Sequence, residues 1–211
     1  THGRHVFFRT KGKDWMLHRM DPPVDPEREA MPEHVELAAI ADGRAPKDPS
    51  EWSFEPDMGG HRVAVRSWGG RALIDDGRDL SALFPELREL GRALGAAQVV
   101  LDGQLAGPEI DRRLGAANAN AARRLAASHP IAFVATDVVW LEGHDSRPLP
   151  TSDRRRLLED LAIAGPAWQT VPVVVGDLDT LRAAAKAQGL AAIVAKPLDA
   201  AYGDRWRRLK A

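Results

Sequence analysis

The sequence predicts an α+β fold in which antiparallel sheets are flanked by helices. Apolar stretches of strand length follow one another with only short turns rich in Gly or Asp between them, which favours antiparallel pairing. Further along the chain, similar stretches alternate with segments of helical periodicity. The chain has 211 residues, of which 44% are hydrophobic and 28% are charged. This length and balance indicate one sizeable globular domain with a small appendage.

Composition excludes several classes of function. The formal net charge of -1 carries no global basic signature of a nucleic-acid-binding protein. The absence of cysteine excludes disulfides, zinc–thiolate sites and thiol nucleophiles. The sequence shows no signal peptide and no apolar run long enough to span a membrane, so we expect a cytoplasmic protein without membrane association.

The amino-terminal region separates into two parts. Residues 1–22 hold two apolar stretches joined by a turn at Lys11-Gly12-Lys13-Asp14, which predicts a β-hairpin. An isolated hairpin is marginal in water, so this one must pack on another part of the protein. Residues 23–50 are predicted to form a linker, because prolines are dense from residue 22 to residue 49 and favour extended backbone.

Residues 51–211 are predicted to form one domain of strands and helices. The predicted strands span residues 52–55, 62–67, 71–75, 98–103, 131–140, 170–175 and 192–196. The predicted helices span residues 80–94, 112–127, 152–162 and 178–188. Asp79 with Pro85, and the polar run from Thr151 to Asp153, supply start signals for two of these helices.

Six short motifs follow one another along this domain. The first is Trp52-Ser53-Phe54-Glu55-Pro56-Asp57-Met58-Gly59-Gly60-His61-Arg62. The others, in chain order, are Gly77-Arg78-Asp79-Leu80 with Phe84-Pro85-Glu86-Leu87, then Leu101-Asp102-Gly103-Gln104, Thr136-Asp137-Val138-Val139-Trp140, Ala191-Ala192-Ile193-Val194-Ala195-Lys196 and Trp206-Arg207-Arg208-Leu209-Lys210. Together they resemble the motifs of bacterial ATP-dependent DNA ligases of the end-joining type, in which the first motif is Trp-x-Phe-Glu-Pro-Lys-Trp-Asp-Gly-Tyr-Arg.

The resemblance implies a fold and a chemistry. Residues 51–211 would form an ATP-grasp-like nucleotidyltransferase domain, the adenylation domain of DNA ligases, without the OB-fold domain that follows the last motif in ligases. Residues 1–22 resemble the end of the phosphoesterase domain that precedes the ligase domain in some actinobacterial repair proteins. In this family a lysine amine attacks the α-phosphate of ATP beside divalent metal. The adenylate then activates a DNA 5′-phosphate, and a 3′-hydroxyl closes the nick.

The chain departs from the family at the reacting groups. Asp57 stands where the family has its nucleophilic lysine, and Gln104 where it has a metal-associated glutamate. The other departures are Gly59 for an aspartate, Asp75 for an arginine and Ala191 for a glutamate. A carboxylate repels the triphosphate, and a neutral amide is a poor Mg²⁺ ligand. We therefore expect no catalytic residue, no metal site and no enzymatic activity.

Several charged family positions are retained, and at one further position, in the last motif, Arg208 replaces a lysine and conserves the charge. The resemblance makes five residues candidates for contact with a nucleotide or phosphate, namely Glu55, Arg62, Lys196, Arg208 and Lys210. The alternative for each of them is a solvated or salt-bridged strand residue. We expect no bound cofactor, and ATP with Mg²⁺ only if residual activity exists.

Lysines and histidines offer few replacements for the lost groups. No lysine lies between residues 48 and 185, where the strand of the nucleophile belongs. Lys196 is the first candidate for a displaced nucleophile. Three histidines near the amino terminus, His2, His5 and His18, are interpreted as surface residues and not as metal ligands.

A basic cluster lies near the carboxyl end of the sequence, formed by Arg205, Arg207, Arg208 and Lys210. One interpretation is weak contact with DNA, which would be sensitive to salt because cations on the protein release counterions from the phosphates. The other is a charged edge strand that resists aggregation. The sequence leaves both interpretations open.

Three hypotheses account for an intact fold signature beside altered reactive positions. The first is a catalytically inactive, ligase-like protein of DNA repair and end joining that acts as a scaffold or as a binding module for DNA repair proteins. The second is an active ATP-dependent DNA ligase, or another nucleotidyltransferase, that uses a displaced lysine. The third is a decayed fragment of a larger repair protein. A lysine within reach of the site favours the second, and the lack of a cooperative unfolding transition favours the third.

Overall fold

The computed structural model describes residues 5–11, 14–19 and 27–211. At the amino terminus, β1 (His5–Lys11) and β2 (Asp14–Arg19) pair antiparallel, so both strands of the predicted hairpin are present. The turn residues Gly12 and Lys13, the prolines Pro22, Pro23 and Pro26, and His2 lie outside the described residues.

The other strands and helices lie between residues 41 and 210. The strands are β3 (Ala41–Asp42), β4 (Trp52–Asp57), β5 (His61–Trp68), β6 (Arg71–Asp75), β7 (Val99–Ala106), β8 (Ala132–Leu141), β9 (His144–Asp145), β10 (Ala164–Gly165), β11 (Trp168–Thr170), β12 (Val174–Val175), β13 (Ala192–Pro197) and β14 (Arg207–Lys210). The helices are α1 (Arg88–Ala93), α2 (Ile110–Leu114), α3 (Ala119–Ser128), α4 (Thr151–Asp160) and α5 (Leu178–Ala187). In the described part of the chain, no helix is both long and apolar enough to cross a membrane.

A seven-stranded sheet forms the larger layer. Its order is β10-β11-β8-β7-β5-β6, with β9 paired to β8. Its neighbours run antiparallel, as predicted, except that β11 and β8 run parallel. One face of the sheet buries Val63, Leu101 and Phe133 completely, against Leu90 of α1 and Leu158 of α4. Each such side chain contributes roughly 1.5–3 kcal/mol relative to an exposed one, so this cluster is the main core.

A five-stranded sheet forms the second layer, in the order β12-β4-β13-β14-β3. Here β14 and β3 run parallel, and the other neighbours run antiparallel. Side chains alternate between the two faces of a strand, and Phe54 of β4 packs on Leu178 of α5. Every residue of β4 is buried, so the face that carries Glu55 and Asp57 is covered as well. On this face the Gln104 side chain of β7 reaches Asp57, and a cavity lined by residues of both sheets lies between them, so the two sheets face each other across a cleft.

The segment predicted as one helix over residues 80–94 is α-helical only from Arg88. Two 3-10 turns precede it, Ser81–Leu83 and Pro85–Leu87. Proline lacks a backbone N–H, so Pro85 can begin a turn but cannot donate within an α-helical ladder. The apolar residues whose spacing predicted a longer helix lie instead in tight turns, which place Leu87 in the core. The prediction is therefore wrong for the first half of this segment.

Two other predicted elements are each divided in two. The helix predicted over residues 112–127 is α2 and α3, because the Asn118 side chain accepts hydrogen bonds from the N–H groups of Asn120 and Ala121 and so caps a new helix. The strand predicted over residues 170–175 is β11 and β12, which belong to different sheets. The chain passes from one layer to the other at this point, and local alternation of side chains does not encode that step.

The Pro-rich segment lies against the two sheets from residue 27 onward. Val35 is buried and packs with Ala64 of β5 and Trp140 of β8. Beyond it, β3 pairs with β14, and the Gly43 N–H donates to the Arg208 carbonyl at 3.0 Å. This segment therefore adds a strand to the five-stranded sheet and packs on the seven-stranded one. The domain boundary at residues 50 and 51 stays a prediction.

Candidate functional site between the two sheets

Asp57, at the position of the family's lysine, lies at the end of β4 with 8% of its surface exposed. Its Oδ2 is 2.8 Å from Nε of Arg208. Its Oδ1 accepts hydrogen bonds from Nε2 of Gln104 at 3.1 Å and from the backbone N–H of Gly59 at 2.9 Å. Gly59 has a φ of 65°, a left-handed conformation that favours glycine and turns its N–H back towards the carboxylate. Both carboxylate oxygens thus have partners within the protein.

These partners come from distant parts of the chain. Arg208 belongs to β14, which is separated from β4 by β13 in the five-stranded sheet. Gln104 belongs to β7 of the other sheet, so its hydrogen bond to Asp57 crosses the cleft. Three positions at which the chain departs from the family therefore lie in contact. They are the position of the nucleophilic lysine, the position of the metal-associated glutamate and one position in the last motif. We name Asp57, Gln104 and Arg208 the substituted triad.

Lys196 lies in a second group of charged residues further along the cleft. Its Nζ is 2.9 Å from Oε1 of Glu55, 3.0 Å from the carbonyl oxygen of Thr136 and 3.5 Å from Oδ2 of Asp137. It also lies 4.3 Å from the centre of the Trp206 ring, a cation–π contact. An ammonium group has three N–H donors, and three oxygens face this one. Burial raises the pKa of Glu55, while the charge of Lys196 opposes that rise.

Arg62 forms hydrogen bonds on the side of the cleft against which the Pro-rich segment packs. Its Nε donates to Oδ1 of Asp102 at 2.9 Å, and a second nitrogen donates to the carbonyl of Ala38. The Tyr202 hydroxyl donates to Oδ2 of Asp102 at 2.8 Å. Burial and the Asp102 carboxylate raise the pKa of Tyr202, so this hydroxyl stays protonated. Arg62 is therefore a salt-bridged strand residue in this structure.

The remaining predicted positions lie apart from the substituted triad. Asp75, at the end of β6, accepts from the Gly77 N–H at 2.6 Å and lies 3.7 Å from Arg66. Ala191 is exposed and directly precedes β13. Lys210 is exposed and lies opposite Ala192, which in turn lies opposite Asp57. The structure thus brings together Asp57, Gly59, Gln104 and Arg208, and it groups Glu55 with Lys196.

A cavity of about 280 Å³ lies beside Lys196. Its lining combines polar and apolar side chains and consists of Ser53, Glu55, Thr136, Asp137, Thr151, Ser152, Arg155, Glu159, Val173, Val175, Lys196 and Leu198. Sequence reasoning did not select Asp137 or Arg154 as site residues. The available signal was a carboxylate inside the apolar run of β8, since a buried charge requires a partner. That partner is Arg154, whose Nε is 2.8 Å from Oδ1 of Asp137.

No metal-binding cluster is present in residues 27–211, where no three His, Asp or Glu side chains are placed to hold an ion. Gln104 offers an amide, which is a weaker ligand than a carboxylate for a hard divalent cation. The side chains of His5 and His18 and all of His2 lie outside the described residues.

The carboxylate of Asp76, at the rim of the cleft, is predicted to make the stability of the fold depend on pH in acid. Its carboxylate lies 2.7 Å from Arg78 and 2.8 Å from Nε2 of His61. The Arg78 hydrogen bond lowers the pKa of Asp76 to about 2, burial offsets part of that effect, and His61 adds to the lowering. A lowered carboxyl pKa stabilises the fold above the unfolded value of about 4, and this stability is lost as the pH falls towards about 2.

We expect Asp76→Asn to lower the free energy of unfolding at pH 7 by about 1 kcal/mol, since the partner Arg78 is mostly exposed and solvent screens the pair. The stability of the variant should also fall less steeply than that of the parent protein from about pH 4 to about pH 2. Urea unfolding at several pH values measures both effects. Asp160→Asn, at an exposed position, serves as the control. Equal slopes for Asp76→Asn and the parent protein would contradict the assignment.

Solved structures with the same fold define the class of this protein. The structure of a mycobacterial DNA ligase D complexed with ATP and MES aligns with a TM-score of 0.65 at 25% identity, over 82% of this chain and 60% of that chain. The ligase domain from M. tuberculosis LigD aligns with a TM-score of 0.64 at 26% identity, over 82% of this chain and 58% of that chain. The fold is therefore that of a DNA ligase adenylation domain, as the motifs predict.

Sequence relatives identify the particular family. LigD of Mycolicibacterium smegmatis, a multifunctional non-homologous end joining protein, is 31% identical over 166 residues, which are 77% of this chain and 21% of the relative. LigD of Mycobacterium tuberculosis is 30% identical over 203 residues, which are 95% of this chain and 26% of the relative. No family model matches the chain. The chain is homologous to the ligase domain of LigD, the DNA ligase of bacterial non-homologous end joining, and it spans about a quarter of the length of these relatives.

Proposed function

We propose that this chain is a ligase-fold module of DNA repair and end joining that does not form a lysyl-adenylate and acts as a scaffold or binding module. The observation that supports it is the substituted triad. The residue in place of the nucleophile is a carboxylate, and two other changed positions provide its partners at 2.8 and 3.1 Å. A residue held in this way has no amine to attack a phosphate and no free oxygen directed at a ligand.

The three residues of the substituted triad satisfy one another's charges and hydrogen bonds. This favours a protein that has kept a role over one that is a decayed fragment. A buried carboxylate without partners costs several kcal/mol, so the change of lysine to Asp57 alone would weaken the fold. Gln104 in place of glutamate removes a repulsive neighbour and adds a donor, and Arg208 keeps the positive charge of the family's lysine and places it against Asp57. Independent losses of function would not be expected to produce side chains that satisfy one another.

The residues present do not fit ATP with a divalent metal at this end of the cleft. A triphosphate would meet the charge of Asp57, and the carboxylates that the family uses near the metal are replaced by Gln104 and Ala191. We therefore derive no reaction step through ATP or metal, and we infer that Glu55, Arg62 and Lys196 serve the fold through their ion pairs.

The second candidate is a nucleotidyltransferase that uses Lys196, since the cavity of about 280 Å³ lies beside that residue. Against it, the Nζ of Lys196 faces three oxygens within 3.5 Å. A nucleophilic amine needs a lone pair directed at the phosphate, so this lysine would have to leave Glu55 and Asp137 before reacting.

The test is a search for a covalent AMP adduct. We expect the purified chain, incubated with Mg²⁺ and α-labelled ATP, to show no adduct by intact mass or on a denaturing gel, while a LigD ligase domain treated alongside becomes labelled. A thermal melt with one cooperative transition would show that the tested protein is folded. An adduct on the chain would overturn the proposal. If that adduct disappeared in Lys196→Ala but persisted in Lys186→Ala, Lys196 would be the displaced nucleophile.

A further inference from the structure

A groove of about 560 Å³ lies between α2 and α3. We name this surface the α2–α3 groove. It combines two arginines with half-buried apolar side chains, and no acidic residue is among the described residues that line it. The lining consists of Arg112, Gly115, Ala116, Ala121, Arg124, Leu125, Ser128 and His129. A chain with a net charge of -1 thus has a local basic surface with an apolar component.

A buried arginine fixes the two helices that form the groove. Arg113 of α2 is 1% exposed, and one of its terminal nitrogens donates to the carbonyl of His129, at the end of α3, at 2.7 Å. The other terminal nitrogen lies 2.8 Å from Oε1 of Glu86. The Asn118 side chain caps the start of α3. The groove is therefore preformed, and a ligand does not have to order it on binding.

The seven-stranded sheet separates the α2–α3 groove from the cleft. Leu105 of β7 belongs to the main core, on which Ile110 and Leu114 of α2 pack. The preceding residue of the strand, Gln104, points to the other face of the sheet and reaches Asp57. The groove and the substituted triad therefore lie on opposite faces of one sheet, so the groove serves something other than the chemistry of the cleft.

The two arginines of the groove are available to a ligand. Arg124 is exposed and forms no ion pair within the part of the chain that the structure describes. Arg112 lies 3.8 Å from Glu109, and solvent screens this pair because both side chains are largely exposed. Both guanidinium groups therefore keep N–H donors for an anionic partner.

The basic cluster near the carboxyl end is a different surface, and two of its arginines are already engaged. Arg205 lies 3.0 Å from Asp199. Arg207 points to the opposite face of β14 from Lys210, and its guanidinium lies 4.8 Å from the centre of the Trp52 ring. Contact with DNA and a charged edge strand both stay predictions for that cluster.

We propose that the α2–α3 groove binds an acidic amphipathic segment of a partner protein. Carboxylates of the segment pair with the guanidinium groups of Arg112 and Arg124, each of which presents N–H donors in a fork that fits two oxygens. An apolar side chain of the segment packs on Leu125, Ala116 and Ala121, as when an amphipathic helix lies in a groove.

The apolar part of the groove selects this class of partner. A nucleic-acid backbone would meet the arginines but has no apolar side chain to bury against Leu125. A segment with carboxylates alone would leave the same surface exposed to water. The inference deepens the proposed function and rests on it, because it gives the binding module a surface and the chemistry of its partner.

Fluorescence anisotropy of the full chain with a labelled probe peptide tests the proposal. The probe is a helical peptide of glutamate and alanine with leucines at positions i, i+3, i+4 and i+7. A comparison peptide has serine in place of each leucine and the same charge. We expect the leucine peptide to bind at least about tenfold more tightly than the serine peptide, because the groove removes an apolar side chain from water.

Two neighbouring arginines of α3 provide a matched pair of variants. Arg124 lines the groove, whereas Arg123 is exposed outside the lining and donates to Asn120 at 2.9 Å. We expect Arg124→Gln to weaken binding of the leucine peptide by about threefold to tenfold, and Arg123→Gln to stay within about twofold of the parent protein. Amide shifts in NMR spectra of the labelled chain should change within residues 112–129 when the peptide is added, and the same spectra report whether each variant is folded.

Four outcomes would overturn the inference. They are no binding of the leucine peptide, equal binding of the serine peptide, equal weakening by the two arginine variants, which would mean a diffuse charge effect, and shift changes confined to the cleft or β14. A short DNA duplex that bound with shifts in residues 112–129 and displaced the peptide would identify a nucleic-acid surface instead. None of these results bears on the AMP-adduct assay. Failure of the groove and failure of the proposed lack of adenylation are therefore distinguishable.

Discussion

Replacing Arg154 with alanine is expected to lower the free energy of unfolding by about 3–5 kcal/mol. Arg154 is fully buried, and its Nε lies 2.8 Å from Oδ1 of Asp137. It also donates to the Thr151 hydroxyl and the Ala200 carbonyl, each at 3.2 Å. Removing it leaves the buried Asp137 with the Val138 N–H at 2.9 Å and the more distant charge of Lys196 at 3.5 Å, and opens a cavity inside the core.

Urea unfolding and thermal melts measure this effect. For a domain of this size each kcal/mol shifts the melting temperature by about 2–4 °C, so a decrease of roughly 6–20 °C is expected. Arg156→Ala is the matched control, because it removes the same side chain from the same helix where it is 76% exposed and pairs with the partly exposed Asp153. The control should stay within about 0.5 kcal/mol of the parent protein. A loss below about 1 kcal/mol for Arg154→Ala would show that the buried pair does not anchor α4.

Restoring the family's lysine, as Asp57→Lys, is expected to destabilise the protein by about 1–3 kcal/mol and not to restore adenylation. The change removes the partner of Arg208 and places a second cation beside it, at a position that is 8% exposed. It also removes the acceptor of the Gln104 and Gly59 hydrogen bonds. Solvent at the half-exposed Arg208 keeps the loss below that of a fully buried pair.

A double-mutant cycle with Gln104→Glu tests whether these positions act as a set. A glutamate at residue 104 would lie beside the new lysine, so Asp57→Lys/Gln104→Glu should recover about 0.5–3 kcal/mol relative to the sum of the single changes. Gln104→Glu alone should destabilise, because two carboxylates would then meet across the cleft. Asp160→Lys introduces the same change of charge at an exposed site and serves as the control. Additive effects within about 0.3 kcal/mol would mean that the substituted triad is not a coupled unit.

Local sequence features predicted the strands better than the helices. The apolar residues of β4, β5 and β8 form segments of strand length, and most of these apolar residues are buried. The helix predicted over residues 80–94 fails in its first half, since apolar residues at helical spacing also satisfy 3-10 turns that pack on a core. The division at Asn118 depends on a single side-chain cap, which outweighed the helical propensity of its neighbours.

The sequence predicted which residues belong to the candidate site, but it did not predict which of them contact one another. The motif order located Asp57 and Gln104 as changed positions, and it located Lys196 as a retained one. It did not identify Arg154 as the partner that the carboxylate of Asp137, inside the apolar run of β8, requires, because Arg154 by itself fits an ordinary helix. The roles assigned to the retained residues as nucleotide contacts stay predictions.

The sequence by itself determined which reactive groups of the family are replaced in this chain, since residue identity is local: no lysine exists between residues 48 and 185, and residue 57 is an aspartate. Only the tertiary structure decided what the replacements do. Strand pairing sets Arg208 beside Asp57 in one sheet, the stacking of the two sheets brings Gln104 to the same carboxylate, and strand alternation separates Arg207 from Lys210. These contacts join residues that are far apart in the chain. Hydrophobic burial and hydrogen bonding fix the geometry of the contacts, and the local periodicity of the sequence does not predict it.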